Sequence, residues 1–95
     1  MLASLATGNA VIVKPHPTAI LPMALAVRAC REVLAAAGYS PDLVTLCCDT
    51  VAQPVGKRLV KHPQAAIIDF TGSARFGAWV EANAHPALLT AHVVA

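Results

Sequence analysis

The sequence predicts an α/β fold: a doubly wound parallel sheet of which the 95 residues supply three to four strands with alternating helices. Continuous apolar runs rich in Val, Ile and Leu recur along the chain, as strands buried on both faces require. Stretches of helical period lie between them, and a Gly or Pro follows each stretch. Strand and helix in alternation build a parallel sheet with helices on its faces, and right-handed crossovers make it doubly wound.

Residues 1–8 (MLASLATG) read as the end of a helix that begins ahead of the chain. Residues 9–14 (NAVIVK) form a short strand that Pro15 ends. From residue 20 to 37 the period changes: Ile20, Met23, Val27, Cys30 and Leu34 fall on one helical line, with Arg28, Arg31 and Glu32 off it. Pro22 fits only the first turn, and Gly38 is a natural stop. Residues 43–49 (LVTLCCD) are the second strand, and residues 54–61 a short helix with Val55 and Leu59 as its apolar side. Residues 65–70 (AAIIDF) are the third strand, 74–83 the third helix, and 87–94 (ALLTAHVV) a fourth strand.

Composition narrows the function classes. Hydrophobic residues make up 57% of the chain and charged residues 13%, against a usual ~45–50% and ~25%. A small free-standing domain needs more polar surface, so another domain, another subunit or the rest of a larger fold is expected to cover part of this one. The length allows one domain at most. The seven Lys and Arg are scattered and aromatic residues are few, which argues against nucleic acid as a partner. No apolar run reaches the length of a membrane span, and the N-terminus does not read as a signal peptide. Three cysteines, Cys30, Cys47 and Cys48, make no disulfide framework and fit a reducing cytoplasm. Neither they nor the four histidines have zinc-ligand spacing, so no metal site is expected.

In such sheets, ligands bind beyond the carboxyl ends of the strands. Lys14 to Pro17 (KPHP) follows the first strand, and Thr71 to Gly77 (TGSARFG) follows the third. Gly72 suits a tight turn and Ser73 is a good helix N-cap. The helix they open has free N–H groups and a dipole that favour an anion. The spacing is not the common dinucleotide fingerprint, so these residues alone suit a phosphate site or a plain strand-to-helix turn. Lys14 is a ligand contact or a snorkelling edge residue. His16 is held rigidly between two prolines, as a ligand contact or a surface histidine. Cys47 and Cys48, inside an apolar strand, read as packing. Asp69, at a strand end, is open between a solvated residue and a hydrogen-bond acceptor.

LATGNAVIVKP, AGYSPDLVTL and HPQAAIIDFTGSARFG together resemble three consecutive segments of the aldehyde dehydrogenase superfamily, over residues 2–84 and in the family's order. KPHPTAILP and DFTGSARFGAW look most like its branch of phenylacetic acid degradation proteins. The resemblance implies that residues 1–95 come from the Rossmann-like NAD(P)-binding domain of an aldehyde-oxidising enzyme. It implies that Lys14 contacts the adenosine ribose, with His16 beside it. It places Gly72 and Ser73 at the pyrophosphate, with Gly77 ending the motif. It also implies a homo-oligomeric parent acting on an aldehyde, with water or coenzyme A as acyl acceptor.

The departures from the family pattern carry expectations of their own. Where many NAD-preferring members have a Glu, this chain has Pro17, and removing that carboxylate favours NADP slightly over NAD. The position expected for the general base falls near Ala91, and the family's nucleophilic Cys matches neither Cys47 nor Cys48. No catalytic residue is therefore expected in this chain. From His85 on, residues 85–95 diverge, as a frameshifted or truncated product would. The rival reading is a non-catalytic remnant or interaction module that keeps the fold and binds no nucleotide.

Overall fold

A computed structural model describes residues 2–49, 55–84 and 87–94. The elements are α1 (Leu2–Ala6), β1 (Val11–Val13), α2 (Ile20–Ala36), β2 (Val44–Leu46), α3 (Gly56–Val60), β3 (Ile67–Ser73), α4 (Ala74–Asn83) and β4 (Leu88–Val94). Their order is the predicted alternation of strand and helix. Short 3-10 turns at Pro17–Ala19 and Pro41–Leu43 lead into α2 and β2. His85 and Pro54, where the tail and the short helix were expected to begin, lie outside the described residues.

Among the described residues the strand pairing is parallel, and it forms two pairs where one sheet was expected. β1 pairs with β2, Val11 opposite Val44, and β3 pairs with β4, Ile67 opposite Leu88. Among the described residues no ladder joins the pairs. Each pair is closed by its own crossover helix, α2 or α4, as parallel pairing requires. The chain accordingly divides into two compact units, one ending at Gln53 and one beginning at Pro54.

In the first unit, buried Val27 of α2 and Val44 of β2 form the core, with Met23, Cys30 and Leu34 half-buried on the predicted line. Helix α2 ends as the sequence predicts. Ala37 caps it, and Gly38 takes φ +85°. The Tyr39 N–H then reaches Leu34 O at 2.9 Å and the Gly38 N–H reaches Ala35 O at 3.1 Å. This Schellman closure satisfies carbonyls that the helix leaves open, and only glycine adopts that φ cheaply.

Arg31, expected on the polar side, instead fastens α2 to the chain entering β2. Its Nη1 donates to Pro41 O (2.9 Å) and Val44 O (2.8 Å), and its Nη2 to Asp42 Oδ1 (3.1 Å). The strands here are shorter than expected. The rigid Pro15 follows β1, and Leu43 is drawn into the turn that Ser40 caps. Cys47 and Cys48 therefore lie beyond β2 and not inside a strand, although the Cys47 N–H adds one more bond to Val13 O (2.9 Å). Cys48 is exposed.

In the second unit, Gly77 and Val80 of α4 and its C-cap Ala84 are buried, and α4 packs on β3 and β4. Along β3 exposure alternates: Ile68, Phe70 and Gly72 are half-buried, and Ile67, Asp69, Thr71 and Ser73 are exposed. A strand covered by a helix on one side shows this period of two, in place of the two-sided burial expected. Asp69 thus sits within β3 and not at its end. Large apolar side chains stay exposed in both units, among them Ile12, Leu21, Val33 and Leu88. No helix among the described residues is long and apolar enough to cross a membrane.

Candidate functional site

The carboxyl ends of β1 and β2 lie side by side because the strands are parallel and in register. Lys14 leaves the first end and Asp49 follows the second, and Lys14 Nζ stands 3.4 Å from Asp49 Oδ2. The side chains are 31% and 18% exposed. At that separation, in a partly screened setting, unit charges attract by about 5 kcal/mol before desolvation is subtracted. Sequence reasoning weighed Lys14 alone and overlooked Asp49. The signal available was topological: an acid closes the second strand much as the lysine closes the first.

His16, beside them, has a structural task. Its Nδ1 accepts the Thr18 N–H at 3.2 Å and stands 2.7 Å from Thr18 Oγ1, capping the 3-10 turn. A backbone N–H can only donate, so Nδ1 carries the lone pair and Nε2 the hydrogen in this arrangement. The exposed imidazole therefore presents an N–H donor, not an acceptor, at Nε2.

The second unit places its residues at the junction of β3 and α4. Strand passes into helix without a loop, and Ser73 is both the last residue of β3 and the N-cap of α4. Its Oγ accepts the Phe76 N–H at 3.3 Å, as the cap reading expected. The other first-turn N–H groups find no partner within the helix. Gly72 serves a different purpose from the one expected. Its φ is not positive, so no turn demands glycine. Instead the Phe70 ring lies over it, and a Cβ on Gly72 would meet Phe70 Cζ at 2.8 Å. Gly77 is buried in the packing face of α4.

Beside this junction lies an open groove of about 330 Å³ lined by Lys57, Ser73, Arg75, Phe76 and Trp79. Phe76 stacks on Trp79 at 5.6 Å between ring centroids, and Lys57 Nζ sits 5.1 Å from the Trp79 ring centre. Two cations and a helix start around one groove suit a diphosphate. Lys57, Arg75, Phe76 and Trp79 carried no sequence signal of their own, since only the fold brings α3 against the start of α4.

Comparison with known proteins decides the family. The aldehyde dehydrogenase family model matches residues 1–94. This chain belongs to the aldehyde dehydrogenase family. An aldehyde dehydrogenase family 7 member A1 homolog of Caenorhabditis elegans is 36% identical over 74 residues, 78% of this chain and 14% of that protein. The crystal structure of an NAD-dependent aldehyde dehydrogenase from Burkholderia multivorans matches with a TM-score of 0.89 and 46% identity. It is matched over 97% of this chain and 17% of its own. The glyceraldehyde-3-phosphate dehydrogenase GapN of Methanocaldococcus jannaschii, complexed with NADP, shares the fold. Its TM-score is 0.88 at 21% identity, over 97% of this chain and 20% of its own. The aldehyde dehydrogenase chain described here thus spans a fifth or less of each of these relatives.

Proposed function

We propose that this chain supplies cofactor contacts of an NAD(P)-dependent aldehyde dehydrogenase, within residues 1–95 of its nucleotide-binding domain. The observation that carries the reading is the β3–α4 junction, where capped Ser73 opens a helix beside Arg75 and Lys57. In this reading Gly72, Ser73 and the first-turn N–H groups of α4 face the pyrophosphate, with Arg75 and Lys57 adding charge. Gly77 acts by letting α4 lie close to its strands. Lys14 contacts the adenosine ribose, and His16 offers its Nε2–H beside it. The nicotinamide supplies the hydride acceptor for aldehyde oxidation.

The same reading assigns no catalytic residue to the chain. In this reading Ala91 holds the position expected for the general base, so residues 85–95, the tail expected to diverge, supply none. The full reaction, on an aldehyde of phenylacetate degradation and with water or coenzyme A as acceptor, belongs to an oligomeric parent in the reducing cytoplasm, where three free thiols persist.

Calorimetric titration of the 95-residue chain with NAD and NADP tests the proposal. Binding of either, weakened at least fivefold by Ser73→Ala and by Arg75→Gln, is the expected result. A folded chain that binds neither cofactor would favour the rival reading of a remnant that keeps only the fold.

A further inference from the structure

We infer that the outward face of α2 is a homotypic interface: a second copy of this chain docks there with its own α2, antiparallel about a two-fold axis near Ala29. This does not depend on cofactor binding. The first observation is an unpartnered apolar row. Leu21, Leu25, Ala29 and Val33 fall four residues apart, so they share one ridge of the helix. Leu21 is 69% exposed, Leu25 55% and Val33 68%, and Ala29 is exposed between them. Val27, by contrast, is buried in the core. A contiguous apolar ridge open to water marks a surface that meets a partner.

The second observation says which partner. The polar break beside the ridge is an ion pair, Arg28 Nε to Glu32 Oε1 at 3.1 Å, with side chains 76% and 68% exposed. The pair carries no net charge, so two such faces do not repel. A two-fold axis reverses the order of residues along the second helix and sets this edge beside its own copy. Arg28 then lies about 3 Å along the helix from the level of the second copy's Glu32, at ~1.5 Å per residue, and Glu32 likewise from its Arg28. Long side chains span that offset, so two intrahelical pairs become one ladder of four alternating charges. On the ridge, Leu25 falls level with the second copy's Val33. Ala29 meets Ala29, where small side chains let the two axes come close. Ridges of four-residue spacing set into each other's grooves make the commonest helix crossing. A helix of 17 residues is about 25 Å long. One crossing of that length buries less than the ~1,200 Å² of a standard interface, so the dimer is a weak one.

Sedimentation equilibrium of the 95-residue chain is the test. Wild type is compared with Leu25→Lys, Arg28→Glu, Glu32→Arg and an equimolar mixture of the last two, with circular dichroism melts to verify folding. All three residues are exposed, so these changes leave the core intact. Strand-edge association is common to every sample, so the differences between samples read the α2 face. Each variant alone is expected to weaken dimerisation at least fivefold, Arg28→Glu and Glu32→Arg by setting like charges against each other. Their mixture should recover wild-type association within twofold, because each charge contact between the two variants joins opposite signs. The chain carrying both exchanges should recover it by itself. A wild type that stays monomeric at every concentration overturns the inference. So does a folded Leu25→Lys chain that associates as wild type does. Single variants that weaken association without recovery in the mixture overturn the antiparallel pairing, and the inference with it.

Discussion

Phe70 lies over Gly72 so closely that a Cβ there would stand 2.8 Å from its Cζ and 3.1 Å from its Cε2. The ring also meets Phe76, 5.5 Å away between centroids. Gly72→Ala is therefore expected to destabilise the second unit by about 1–3 kcal/mol, the cost of overpacking. Adding Phe70→Leu should recover at least half of that loss, since the smaller side chain vacates the space. A double-mutant cycle in denaturant measures the coupling. Simple additivity of the two changes would refute the steric account.

Arg31 is expected to matter more than its place on the polar side of α2 suggests. Removing it takes the guanidinium donor from the carbonyl of Val44, which is fully buried, while Pro41 O keeps the Val44 N–H. Hydrogen bonds to charged groups contribute about 1.5–3 kcal/mol each. With partial solvent access to Arg31, Arg31→Met should cost about 2–3 kcal/mol by the same scale. Arg31→Lys should recover only part, because an ammonium lacks the planar fork. Thermal melts followed by circular dichroism decide this. A Tm unchanged within a degree in Arg31→Met would mean that the clamp contributes nothing.

The 95-residue chain is expected to produce no NADH or NADPH from an aldehyde. Cys48 is exposed just past β2 and Cys47 is tied to the ladder by its N–H. Among the described residues, no group of three or more His, Cys, Asp or Glu side chains could hold a metal ion beside either thiol. Spectrophotometric assay of the purified chain beside its Cys47→Ser and Cys48→Ser variants is the check. Turnover that disappears in either variant would contradict the assignment of no catalytic residue.

Self-association is expected at micromolar concentration. Leu88 is 72% exposed and Ile12 59%, each on a two-stranded pair whose edges invite further pairing. Sedimentation velocity should show a coefficient that rises with concentration. Replacing Ile12 and Leu88 by Lys should flatten that rise. A single monomeric species in wild type at all concentrations would show that these faces are tolerated in water.

What the sequence determined by itself is what local chemistry encodes. Helix α4 runs over the predicted residues 74–83, because Ser73 can cap the Phe76 N–H three residues on. Helix α2 ends at the predicted place because Gly38 alone accepts φ +85° cheaply there. The alternation of elements, and the motifs that identify the aldehyde dehydrogenase family, are equally local. Tertiary structure decided the rest. Pairing Lys14 with Asp49, hooking Arg31 onto Val44, laying Phe70 over Gly72 in a strand rather than a turn, and dividing the strands into two pairs all depend on how segments meet in space. A side chain's reach to a distant strand end follows from the register and direction of pairing. No residue type announces that register, so the partner of Lys14, Asp49, became visible only once β1 and β2 lay side by side.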